Sequence, residues 1–71
     1  MPEYRIKNNI RLLRFQSGEM TQQELADRTN VTRQTIHAIE AAKYSPSLEL
    51  AFRIAHVFEK SIDEVFQYTP D

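Results

Sequence analysis

Cysteine is absent from this chain of 71 residues, so no disulfide supports the fold and no thiol is available for catalysis. The absence fits a reducing cytosol. Glycine occurs once, which leaves no glycine-rich loop to cradle a phosphate group. One glycine and three prolines also argue against a disordered chain. No apolar run approaches the ~20 residues of a membrane span. The N-terminus lacks the pattern of a secretory signal. A charge excess is missing too, with nine Lys and Arg against ten Asp and Glu, a net of −1. That balance argues against a basic amphipathic membrane binder. No Ser/His/Asp set held in a rigid frame is legible, so the chain is not expected to be an enzyme.

The length predicts one domain over residues 1–71. A chain this short buries only about 60% of its unfolded surface, so its core is marginal alone. Support must come from disulfides, metal or association. Without cysteines, association into oligomers is the expected route. The charge is unevenly spread. Residues 1–47 carry a net of +2, and residues 48–71 a net of −3. No internal repeat or low-complexity segment interrupts the chain.

The stretch TQQELADRTNVTRQTIHAIE, Thr21–Glu40, organises the rest. Thr21 is a helix cap, and Glu24 three residues on completes a capping box. Leu25 and Ala26 fall on the inward face. Asn30 tolerates the left-handed backbone that ends a helix. Val31 plugs the turn and Thr32 caps a second helix. Ile36 and Ile39, three apart, share its buried face, while Arg33, Gln34 and His37 point outward. Ala26 is small enough for two helices to cross closely. This is a helix-turn-helix whose outer helix carries the residue types that read bases: Arg for guanine, Gln for adenine, Thr for phosphate or a thymine methyl.

Gln22, Ala26, Asn30 (where Gly is usual), Val31, Ile36, Ile39 and Glu40 resemble the helix-turn-helix pattern of the Cro/repressor or Xre family. The run Lys43–Ala51 is similar to the continuation in its smallest members. Val65-Phe66-Gln67-Tyr68 resembles a subgroup that includes the enterococcal cytolysin repressor. The resemblance covers roughly residues 6–68. It implies an all-α fold, a phage-repressor-like bundle of five helices. It also implies an ion pair between Arg14 and Glu40. One residue more than the usual family spacing sits around Gly18-Glu19-Met20, before the Thr-Gln start. At Ala41 the family has an Asn that contacts backbone phosphate, so that contact is lost here. Lys43 and Tyr44 remain as phosphate partners.

The flanks complete the expectation. Pro2–Lys7 alternates as a short strand. It needs a partner, and Phe66–Thr69 has the composition for one, giving a two-stranded antiparallel ribbon of the termini. The bland alternative is a frayed N-terminus. Asn8 or Asn9 caps helix 1, about Asn9–Gln16, with Ile10 and Leu13 inward and Gly18 ending it. Leu12 and Phe15 lie off the buried stripe, either as a second apolar surface or as ordinary exposed residues. Ala41-Ala42 are strong helix formers and predict that helix 3 runs on by a residue or two. Ser47 caps helix 4, whose core stripe reads Leu48, Ala51, Ile54, Ala55 and Phe58, with Phe52 and Val57 off it. Ser61-Ile62-Asp63-Glu64 opens helix 5, which runs through about Phe66.

The site follows from these placements. Arg33, Gln34, His37 and Ala38 are the candidate base-contacting residues. His37 is open between DNA contact and plain solvent, and Ala38 would pack on a thymine methyl. Gln22, Thr32, Thr35, Lys43 and Tyr44 are the candidate phosphate contacts, with the threonines also read as caps only. Phe66, Tyr68 and Val57 are candidates for a homodimer interface. His37/Glu40 and His56/Glu59 each place two metal-ligand types on one helix turn. Glu40 is expected to be taken by Arg14, and His37 to point toward DNA, so no metal or cofactor is expected. The function expected is sequence-specific transcription regulation in a bacterial or archaeal cytosol, at the nucleoid. A homodimer, more readily a repressor, would bind the major groove of an inverted-repeat operator in double-stranded DNA. No segment for a small-molecule effector is evident. The alternative is a protein-interaction module, antitoxin-like, that keeps the same fold as a scaffold; the toxin-wrapping tail of such proteins is not seen.

Overall fold

Helix α2 (Gln22–Thr29) starts where Thr21 turns the backbone from extended to helical. The Thr21 hydroxyl accepts from the Glu24 backbone N–H at 3.0 Å, and Glu24 Oε1 accepts from the Thr21 N–H at 2.8 Å. It stops at Asn30, in the left-handed region with φ 62°. Helix α3 (Arg33–Glu40) restarts from Thr32, whose hydroxyl accepts from the Thr35 N–H at 3.2 Å. Helix α4 (Leu48–Phe58) is capped by Ser47 in the same way, at 3.2 Å from the Leu50 N–H. These local bonds satisfy donors that a helix start leaves orphaned. The computed structural model describes residues 4–70, with side chains for residues 6–68.

Two further helices and two strands complete the order. They are β1 (Tyr4–Asn8), α1 (Ile10–Gln16), then α2 to α4, α5 (Ile62–Val65) and β2 (Phe66–Pro70). The strands pair antiparallel, with Ile6 opposite Tyr68 and Asn8 opposite Phe66. Pro2 and Glu3, the expected start of the first strand, lie outside the described residues. The core takes Ile10 and Leu13 from α1, Leu25 and Ala26 from α2, Ile36 and Ile39 from α3, and Leu50, Ile54, Ala55 and Phe58 from α4, with Val65 closing it. Ala26 is wholly buried where α2 packs against its neighbours α3 and α4. Among the described residues no helix is long and apolar enough to cross a membrane.

Four details differ from the sequence expectation. Helix α3 does not run past Glu40. Ala42 adopts φ 59°, the Ala42 N–H donates to the Ile39 carbonyl, and the Lys43 N–H donates to the Ala38 carbonyl, both at 3.0 Å. This is a Schellman stop without its usual glycine, and it overrides the helix propensity of Ala41-Ala42. Leu48 is not in the core. It is 69% exposed, and Leu50 takes the inward position, because the inward row of α4 is Leu50, Ile54 and Phe58 at four-residue spacing and Leu48 lies outside it. Met20 is buried, so the extra residue of the α1–α2 loop is absorbed by Gly18 and Glu19, both at positive φ, while Met20 turns inward. Helix α5 ends at Val65, because Phe66 is already extended and begins β2.

Asparagines 8 and 9 join the ribbon to the bundle. The Asn8 side chain, rather than that of Asn9, caps α1, with Oδ1 accepting from the Ile10 N–H at 3.1 Å. Asn8 Nδ2 also donates to the Ile39 carbonyl at 2.9 Å. Asn9 donates from its backbone to Val65 O at 2.9 Å and from its side chain to Glu64 O at 3.0 Å.

Candidate nucleic-acid interface

Ile36 and Ile39 anchor α3 in the core, and the helix period then fixes what it shows outside. Arg33, Gln34 and His37 are exposed and together line one shallow concavity. Ala38 is half-buried beside them. Thr32 Oγ1 and Thr35 Oγ1 lie 3.1 Å apart, so one hydroxyl proton is held internally and the other remains for an outside acceptor. Lys43 and Tyr44, just past the Schellman turn, are both exposed.

The end of α3 is fixed by charge. Arg14 of α1 donates to Glu40 through Nε at 2.6 Å and Nη2 at 3.0 Å, and through Nη1 to the Met20 carbonyl at 2.8 Å. Gln22 Nε2 also donates to Glu40 Oε1, at 3.2 Å. The two charged side chains keep only 15% and 10% of their exposure, so the pair registers α1, the α1–α2 loop and α3 against one another. Glu40 is thereby occupied, and the His37/Glu40 metal pairing loses its carboxylate. Arg11, Arg14, Gln22, His37, Glu40 and Ala41 line a polar cleft between α1, the start of α2 and the end of α3. His37 borders both this cleft and the concavity with Arg33 and Gln34.

The helix-turn-helix family HTH_3 matches residues 10–65. The chain belongs to the Xre-type helix-turn-helix regulators. It is 46% identical over 66 residues to a Methanocaldococcus jannaschii protein named an uncharacterized HTH-type transcriptional regulator, covering 93% of this chain and 98% of that one. An Archaeoglobus fulgidus protein of the same description is 46% identical over 61 residues, 86% of each chain. A Bacillus subtilis one is 41% identical over 61 residues, 86% of this chain and 91% of the relative. As an Xre-type regulator the chain is placed among DNA-binding transcription regulators, and α3 occupies the place of the recognition helix.

Other candidates are spread more widely. Tyr68 is 62% exposed on β2, whereas Val57 and Phe66 are half-buried against the regulator's own core. Leu12 and Phe15 are exposed with Asn8, Asn9 and Arg11 along one groove. A second groove, on α4 and α5, has Phe52, Val57 and Ile62 with Arg28, Arg53 and Lys60 around them. Sequence reasoning passed over Arg11. It lies three residues before Arg14 and so on the same flank of α1, which was the available signal.

Proposed function

We propose that residues 1–71 act as one DNA-binding domain of phage-repressor-like arrangement that regulates transcription as a sequence-specific repressor. Arg33 and Gln34 read base edges in the major groove, with His37 and Ala38 beside them. Gln22, Thr32, Thr35, Lys43 and Tyr44 hold backbone phosphates. The observation that carries this reading is the outward face of α3. Its three polar side chains are exposed together on a helix capped at Thr32, stopped at Ala42 and held by Arg14 through Glu40. A side chain that is to discriminate bases must be presented rigidly, and each of these bonds limits the motion of α3.

The regulator would work as a homodimer. Its two-fold axis would set two recognition helices about 34 Å apart on an inverted repeat. The dimer face would use Tyr68 and the outer parts of Phe66 and Val57. A net charge of −1 supports reliance on base contacts more than on diffuse attraction to phosphate. The second reading is a protein-interaction module. The groove with exposed Phe52 and half-buried Ile62, lined by Arg28, Arg53 and Lys60 as well as Glu49, is what favours it.

Selection of bound sequences from a random DNA pool at two salt concentrations tests the proposal. Enrichment of an inverted repeat with one-turn spacing supports a dimeric regulator. Weak binding that salt abolishes, with no enriched sequence, transfers support to the interaction module.

A further inference from the structure

We propose that Arg11, on the first helix, is a DNA ligand in its own right, holding one backbone phosphodiester in the cleft between α1, α2 and α3. The assignment rests on the DNA-binding reading and adds a site to it. Two arginines border the cleft, and they differ in what occupies them. Arg14 is neutralised by Glu40 and spends a third N–H on the Met20 carbonyl. Arg11 is exposed, and among the described residues nothing pairs with its guanidinium. The cleft therefore keeps one uncompensated positive charge with its donors uncommitted.

The other walls suit the same ligand. Gln22 uses one amide hydrogen on Glu40, which leaves the second for another acceptor. His37 supplies a ring N–H and borders the face that carries Arg33 and Gln34. The one carboxylate of the cleft is already taken by Arg14 and Gln22, so no free acid repels an anion. A site with cationic, amide and imidazole donors and no spare acceptor charge fits a phosphate oxygen. Its position beside the base-reading face makes the DNA backbone the source. A guanidinium there would fix the register of α3 in the groove from the α1 side.

The experiment uses the full chain and the duplex that it selects, prepared as a series with one neutral methylphosphonate linkage at a time. Wild-type protein should lose affinity at a small set of linkages in each half-site. Arg11→Gln should bind the unmodified duplex about tenfold more weakly. It should also lower the log–log salt slope by about 0.9 per half-site contact. Its own pattern should lack one of the sensitive linkages, because the neutral linkage removes a contact that the variant no longer makes. Arg11→Lys should restore most of the salt slope. A structural role for Arg11 would move none of the linkage pattern, and the melting temperature of Arg11→Gln should stay unchanged. If wild type binds selectively and Arg11→Gln shows the same sensitive linkages, the assignment of Arg11 fails while the regulator reading stands. If wild type selects no sequence at all, both fail.

Discussion

Replacing Glu40 by Ala should cost far more than the same change at Glu49, although both acids pair with an arginine at 2.6 Å. The Glu49–Arg53 pair is open to solvent, with side chains 75% and 46% exposed. An exposed pair contributes about 0–1 kcal/mol, so Glu49→Ala should stay within about 0.5 kcal/mol. Glu40 accepts from Arg14 twice and from Gln22 once, and its removal strands a guanidinium that is 15% exposed. Breaking a buried pair costs about 3–5 kcal/mol. Because Arg14 keeps its bond to the Met20 carbonyl and some water, about 2–3 kcal/mol is expected. A chain of this length holds about 4–10 kcal/mol in total. The loss should therefore move the melting temperature by about 10–20 °C. Urea denaturation of both variants at one protein concentration, with the slope checked for constancy, measures it. Adding Arg14→Met to Glu40→Ala should cost less than the sum of the single changes by about 1–2 kcal/mol, since the stranded charge leaves with its partner. A Glu40→Ala cost no larger than that of Glu49→Ala would refute the argument that this pair is shielded and registers α3.

Ala42→Gly should raise stability by about 0.5–1 kcal/mol, because φ 59° strains any residue with a Cβ and the relief outweighs the added freedom of the unfolded chain; an unchanged or lowered melting temperature would count against the Schellman stop. Acid should destabilise the regulator through its helix caps. The Thr21 backbone N–H holds the Glu24 carboxyl below its ordinary value, the Ser61 backbone N–H does the same for Glu64, and the Ser61 hydroxyl lowers Asp63. These groups take up protons less readily folded than unfolded, so their contribution is whole above the ordinary glutamate value of 4.5 and is lost as pH falls through the lower folded values. Melting temperatures from about pH 6 to about pH 3 should show the decline, and Glu24→Gln with Glu64→Gln should flatten it. Arg33→Ala should weaken binding to the selected operator by about 1–3 kcal/mol and leave random DNA nearly unaffected, whereas Lys43→Ala should weaken both alike and flatten the salt slope by about one. Equal losses of Arg33→Ala on operator and random DNA would remove its readout role.

The helix starts were legible because their chemistry is local. Thr21 with Glu24, Thr32 with the Thr35 amide and Ser47 with the Leu50 amide each join residues within one turn, and the residue types announce them. The buried face of α3 was legible from the spacing of Ile36 and Ile39. What was missed depends on contacts that the residue types do not announce. Ala41-Ala42 reads as continued helix, and only the folded loop shows the Lys43 amide on the Ala38 carbonyl. Met20 reads as loop, yet the core has room for it. Leu48 fits the helical stripe, yet Leu50 in the same turn is the residue that turns inward. The candidate interface divides in the same way. Arg33, Gln34 and His37 follow from one helix, whereas the cleft with Arg11 needs α1, α2 and α3 to be brought together.

The family match over residues 10–65 leaves both strands outside it, and the strands meet the matched region at Asn8. That residue closes β1 opposite Phe66 of β2. Its side-chain oxygen caps α1, and its amide reaches the Ile39 carbonyl in the last turn of α3. The same carbonyl accepts the Ala42 amide of the Schellman stop. The C-terminal end of the recognition helix is thus held from two sides, by its own turn and by the ribbon. In the proposed dimer, Tyr68 and Phe66 of that ribbon face the partner. The spacing between the two recognition helices would then pass through Asn8, along a rigid path from β2 to β1 to Ile39. A hydrogen bond of this kind contributes only about 1 kcal/mol to stability. Its larger consequence is geometric: if α3 reads bases as proposed, it tolerates little displacement at the end where His37 meets the cleft with Arg11.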